Sequence, residues 1–174
     1  LAEVNNILGL PGPKGFVITT TAFKGFMEYN KIWDRVREEP LSDEASAEVR
    51  ALIDQGSLPP DLKRALQKST EQLQLTLGDE KLFLAVRSSA WGEDSIHTFA
   101  GQFKSCLNQP VENLVASYKE VIASTYSSSA IEYRTSKNIS EDEVAMAVGC
   151  QRTIDAKVSG VLYTLDPTTP EREV

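Results

Sequence analysis

Hydrophobic residues recur at two different spacings along this chain, and the change between them divides it into two regions. From about residue 22 to residue 78 they recur every three or four positions, which is typical of helices that bury one side. From about residue 81 to residue 168 they form short apolar runs of strand length. The pattern therefore predicts a helical part (about 22–78) followed by a sheet-forming part (about 81–168).

Three helices are predicted in the helical part, after a short β-rich run at 14–23. The second helix has clear ends, because Ser42 suits an N-cap and Gly56 suits a C-terminal stop. The third begins at Pro59 and Pro60, which suit the first turn of a helix. These segments carry many charged residues, as helix surfaces that face solvent do.

The sheet-forming part begins with the nearly continuous apolar run 81–89, which is typical of a central strand. A helix is predicted at 111–127, and strands at 141–154 and 158–166 are joined by a hairpin connection at 155–160. The expected fold class is α+β, with a mixed β-sheet and flanking helices.

Composition and charge narrow the function classes. The chain has 174 residues and a net charge of −7, which argues against a general nucleic-acid binder because such proteins carry a basic field. No apolar run approaches the length of a membrane span, so no membrane association is expected. Cys106 and Cys150 lack metal-ligand spacing and are expected to be reduced thiols of a cytoplasmic protein. The chain starts at Leu1 and stops just after an apolar run, so we expect a fragment truncated at both ends.

Arg87 is the first candidate for chemistry, because it stands where an apolar strand ends. A guanidinium stays charged and can bind phosphate oxygens, but the same side chain can instead form a structural ion pair with Glu93 or Asp94. Gly101 can let backbone N–H groups approach a phosphate, or can belong to a tight turn between strands. Gln151 can bind a base or ribose edge, or satisfy a neighbouring backbone group. The residues themselves suggest no catalytic triad and no metal cluster.

Five segments in order carry a family resemblance, namely GLPGPKGFVITTTAF, LAVRSSAWGEDSIHTFAGQFKSCLN, AIEYR, MAVGCQRTI and SGVLYTLDP. They resemble the N-terminal, ATP-grasp-type nucleotide-binding domain of the phosphoenolpyruvate synthase and pyruvate phosphate dikinase family. The resemblance runs nearly end to end, so residues 1–174 are expected to be part of such a domain. It implies an ATP-grasp-type lobe and ATP with Mg²⁺ as cofactors.

The resemblance also implies site residues. The family arginine that grips the ATP phosphates matches Arg87, and the glycine of the loop that covers them matches Gly101. A threonine of that loop is Ser105 here, which keeps the hydroxyl. Gln151 matches a glutamine near the nucleotide, and Arg134 matches the arginine of a Tyr-Arg pair.

For the parent protein, the resemblance implies transfer of a phosphoryl group from ATP to a histidine on another domain, with a pyruvate- or phosphoenolpyruvate-binding domain as further partner. The family's ATP-binding lysine falls before Leu1 and its magnesium ligands fall beyond Val174, so the isolated fragment is expected to hold no catalytic residue and to be inactive. Alternatives are a rifampin-phosphotransferase-like enzyme and a non-catalytic, degenerate nucleotide-binding regulatory domain. Because the last strand stops abruptly, we expect an exposed strand edge, which would make a homo-oligomer possible.

Overall fold

The computed structural model describes residues 7, 9, 11–37, 41–90, 103–141 and 144–160, which form six α-helices and four strands. In chain order the elements are β1 (Gly15–Ile18), α1 (Thr20–Tyr29), α2 (Trp33–Val36), α3 (Asp43–Gln55), α4 (Pro60–Leu77), β2 (Phe83–Ala90), β3 (Ser105–Pro110), α5 (Leu114–Ala123), α6 (Ser128–Ser136) and β4 (Met146–Arg152). Short 3₁₀ turns at Val111–Asn113 and Ser124–Tyr126 flank α5.

The four strands form one sheet in the order β1-β4-β2-β3, and every pair among them is antiparallel. The predicted α+β class is confirmed, with helices flanking the sheet. The parallel pairing that a mixed sheet requires does not occur among the described strands. The predicted central strand at 81–89 is confirmed too, because β2 lies between β4 and β3.

One face of the sheet, the inner face, is covered by helices. Along β2 and β4 its residues Leu84, Val86, Val148 and Cys150 are fully buried. Helix α5 packs across β2, β3 and β4, and α3 packs on the far side of α5. The core between these layers is closed by large side chains from the helices, chiefly Phe23, Phe26, Met27, Val49, Ile53, Tyr118, Val121 and Ile122.

The predicted helix ends are found where the sequence placed them. The Ser42 hydroxyl accepts a hydrogen bond from the Ala45 N–H at 3.2 Å, and α3 ends at Gly56. The third predicted helix is α4, which begins at Pro60. The β-rich run at 14–23 is only half strand, because the Thr19 hydroxyl accepts from the Ala22 N–H and caps α1 directly after β1.

Two elements were not predicted, strand β3 and helix α6. The residues of β3 were assigned to no element. The predicted strand at 158–166 is tested only at its start, because residues 161–174 lie outside the described part, and 158–160 are not strand. In the ranges described above, no helix is long and apolar enough to cross a membrane.

Candidate functional site

The candidate site residues gather on the second face of the sheet, which we call the outer face. Arg87 of β2 pairs with Ser105 of β3 on one side and with Gly149 of β4 on the other. Gly149 pairs in turn with Val17 of β1, so these four residues form one row across the sheet. Because directly paired residues point to the same face, the side chains of Arg87 and Ser105 are neighbours.

Gln151 lies on the same face, one step along the sheet. It is two residues beyond Gly149 on β4 and pairs with Ala85 of β2 and Gly15 of β1. A two-residue step along a strand is about 7 Å, so Gln151 lies within the length of a nucleotide from Arg87. The structure thus brings together Arg87, Ser105 and Gln151, although 18 positions separate the first two in the sequence and 46 separate the last two.

The alternation of the strands explains this arrangement. On β2 the apolar side chains of Leu84 and Val86 point to the inner face, which forces Arg87 and Ser89 outward. On β4 the buried Val148 and Cys150 place Gly149, and Gln151 beyond it, on the outer face.

Each of the three polar side chains is available to a ligand. Arg87 and Ser105 are exposed and Gln151 is half-buried. No described residue forms a side-chain hydrogen bond or an ion pair with any of them. The alternative partners of Arg87, Glu93 and Asp94, lie outside the described residues. A guanidinium, a hydroxyl and an amide side by side provide one permanent positive charge and neutral hydrogen-bond donors, which suits a phosphate-bearing ligand.

Exposed apolar side chains accompany these polar groups on the same face. Val17 is 61% exposed and Phe83 is 42% exposed, although both belong to strands whose other face is the core. Leu107 of β3 is exposed as well. A face that combines a cation with uncovered apolar surface has the composition of an interaction or ligand surface.

Arg134 does not join this group. It lies on α6, in the helical layer, and is buried. Its Nε and Nη2 donate to the two carboxylate oxygens of Glu141 at 2.9 and 2.8 Å, and its Nη1 donates to the Thr125 carbonyl oxygen at 2.6 Å. The guanidinium also lies 5.8 Å from the ring centre of Tyr126. These contacts assign Arg134 to holding the helical layer together, and its predicted role towards nucleotide stays a prediction.

Gly101, the fifth predicted residue, lies outside the described residues, so its role stays a prediction as well. Within the described part of the chain, no group of three His, Cys, Asp or Glu side chains is placed to hold a metal ion.

A charged cluster that the sequence did not reveal borders the row at Ser105. Lys104 pairs with Glu120 of α5, and the Cys106 thiol donates to the other oxygen of that carboxylate at 3.1 Å. Hydrogen bonding to Lys104 lowers the pKa of Glu120, while burial raises the pKa of Cys106 to about 11. The cluster therefore anchors the start of β3 to α5 and keeps the thiol protonated. Its members are 14 and 16 residues apart, a spacing that carries no local signal.

Comparison with known proteins identifies the relatives of this chain. The family described as "Pyruvate phosphate dikinase, AMP/ATP-binding domain" matches residues 1–174. The phosphoenolpyruvate synthase of Aquifex aeolicus is 35% identical over 96% of the chain and 21% of its own length. A probable phosphoenolpyruvate synthase of Staphylothermus marinus is 34% identical over 95% of the chain and 22% of its own length. The rifampicin phosphotransferase of Bacillus subtilis is 30% identical over 100% of the chain and 21% of its own length. The chain thus spans about a fifth of the length of the curated relatives it matches.

Proposed function

Because this chain belongs to the family of pyruvate phosphate dikinase AMP/ATP-binding domains, we propose that its outer face binds ATP and that Arg87 contacts the phosphates. The observation that carries the proposal is the row across the sheet in which Arg87 and Ser105 are paired neighbours, with Gln151 one step away. None of the three side chains forms a hydrogen bond or an ion pair with a described residue. In this arrangement the guanidinium binds phosphate oxygens, the Ser105 hydroxyl adds a donor, and the Gln151 amide meets the ribose or the base.

The proposed activity of the whole protein is that of an enzyme similar to phosphoenolpyruvate synthase. In this proposed reaction, a phosphoryl group passes from ATP to a histidine on another domain. A further domain binds pyruvate or phosphoenolpyruvate. The higher identity to phosphoenolpyruvate synthases, 34% and 35%, favours this over the 30% identical rifampicin phosphotransferase. The buried, free thiols of Cys106 and Cys150 are compatible with a reducing compartment such as the cytoplasm.

Positioning and charge neutralisation supply most of the catalysis in phosphoryl transfer. The contribution proposed for this chain is to fix the phosphates with a group that stays charged at every working pH. Mg²⁺ is expected to accompany ATP, because metal ions neutralise the phosphate oxygens in this chemistry. Since the described residues hold no fitting group of three metal-ligating side chains, we assign them no step through Mg²⁺.

Titration with ATP tests the proposal directly. In the full-length protein that contains this chain, Arg87→Met is expected to weaken ATP binding by about 10- to 100-fold, since a charged hydrogen bond contributes about 1.5–3 kcal/mol. The melting temperature should stay unchanged because Arg87 is exposed. Arg64→Met is the matched control, since it removes the same charge from an exposed position on α4. Equal ATP affinity of the Arg87→Met variant and the unmodified protein would contradict the proposal.

A further inference from the structure

Two glycines lie in the described strands, and the described residues explain only one of them. At Gly15 of β1 an added Cβ would lie 2.2 Å from the Cys150 carbonyl oxygen, so the close approach of β1 to β4 requires glycine there. At Gly149 an added Cβ would meet only the Arg87 carbonyl oxygen, at an ordinary 3.9 Å, among the described residues. Neither backbone has a positive φ. Among the described residues, packing and conformation therefore give no reason for glycine at position 149.

Glycine in the middle of a strand weakens it, and such a position often marks the close approach of a ligand. Gly149 lies within β4, paired with Arg87 on β2 and Val17 on β1. Its missing side chain would point to the outer face, because Val148 and Cys150 point to the core. The space that a side chain would fill thus lies between Arg87 and Gln151.

We infer that Gly149 is a further positioning residue for the nucleotide, whose bare backbone lets the sugar part of ATP lie against the sheet. The inference rests on the proposed function. With the phosphates at Arg87 and the ribose or base at Gln151, the segment that joins them crosses β4 next to Gly149. A side chain at position 149 would hold that segment away from the sheet, while the phosphates alone could still reach Arg87.

Two substitutions on the same strand and face test this. Gly149→Val adds a branched side chain that suits a strand. The control, Ala147→Val, adds comparable bulk two residues away on the same strand. Ala147 lies opposite Ser89, on the side of Gly149 away from Gln151. Both are made in the full-length protein, and each is titrated with ATP and with inorganic triphosphate, which has no sugar or base. Thermal unfolding accompanies each titration.

Gly149→Val is expected to weaken ATP binding by about tenfold or more and to change triphosphate binding by less than about twofold. Its melting temperature should not fall, because β-branched residues favour strands. Ala147→Val should leave both affinities within about twofold. Gly149→Ala, which adds a single methyl group, provides the same test if the valine disturbs the sheet, with a smaller loss of ATP affinity and none of triphosphate affinity.

The other outcomes overturn either the role of Gly149 or the proposed function, and the two cases are distinguishable. Unchanged ATP affinity in the Gly149 variants, with binding intact in the unmodified protein, would overturn the role of Gly149 and leave the proposed function standing. An equal loss of ATP and triphosphate affinity, or an equal loss in Ala147→Val, would also overturn it. An unmodified protein that binds neither ATP nor triphosphate would instead overturn the proposed function.

Discussion

Replacing Arg134 tests whether this residue stabilises the fold or binds nucleotide. Family resemblance alone predicts Arg134 near ATP, whereas the structure gives its guanidinium three hydrogen bonds within the helical layer. Arg134→Met keeps an unbranched, apolar stem and removes the charge. Glu141 is then left with a buried carboxylate that has lost both bonds, and the Thr125 carbonyl oxygen has lost its donor.

The size of the effect follows from this burial. The side chains of Arg134 and Glu141 are 2% and 10% exposed, so water does little to compensate the remaining charge. Removal of one partner of a buried ion pair costs about 3–5 kcal/mol. For a domain of this length each kcal/mol corresponds to about 2–4 °C, so the melting temperature of Arg134→Met should fall by roughly 6–20 °C.

The assay combines urea unfolding with ATP titration below the melting temperature of the variant. ATP affinity of the folded Arg134→Met protein should match that of the unmodified protein. The double variant Arg134→Met/Glu141→Leu should regain much of the lost stability, because it leaves no unpaired charge in the layer. Arg64→Met, at an exposed arginine of α4, should change stability by less than about 0.5 kcal/mol. A stable Arg134→Met protein that no longer binds ATP would refute the reasoning and return Arg134 to the nucleotide site.

Two further predictions concern stability. Gly15→Ala should lower the free energy of unfolding by at least about 1–3 kcal/mol, since its Cβ would lie 2.2 Å from the Cys150 carbonyl oxygen. In the same urea titration, Gly25→Ala in α1 should raise it by about 0.5–1 kcal/mol, because the space around Gly25 is open. Burial raises the pKa of Cys106 to about 11 and of Cys150 to about 12 from about 9, so the unfolded chain loses these protons first and the free energy of unfolding should fall as pH rises above 9. Cys106→Ala should make that fall shallower between pH 9 and 11, and identical slopes would contradict it.

Much of the fold was predictable because its signals are local. Ser42 and Gly56 mark the ends of α3 by chemistry that acts within a few residues, and Pro60 does so for the start of α4. The strand that carries Arg87 was visible as an apolar run, and its central place in the sheet followed from that run. Strand β3 was missed because its sequence, SCLNQP, contains a single strongly apolar residue besides cysteine. The strand is also irregular, with a shift in its register against β2 and a positive φ at Asn108.

The candidate site residues could be named one by one from the sequence, but their arrangement could not. Arg87, Ser105 and Gln151 were named from motifs, yet only strand register decides that they share a face and a row. Gly149 was missed because a glycine between apolar residues carries no functional signal until its neighbours across the sheet are known. The structural role of Arg134 was missed for the same reason, since Glu141 and Thr125 become its partners only when α6 packs.

Under the proposed function, one face of the sheet serves stability and the other serves ligand binding, and this division follows from the pleat. Leu84, Val86 and Val148 point into the core, so a change there alters packing first. Arg87 and Gly149 alternate with them and face the other side of the sheet, so a change there should affect the proposed ligand before it affects the core. The proposed binding surface shares its backbone with the core, so strand pairing sets the spacing between Arg87 and Gln151. That fixed spacing is what a phosphate and a sugar on one molecule require.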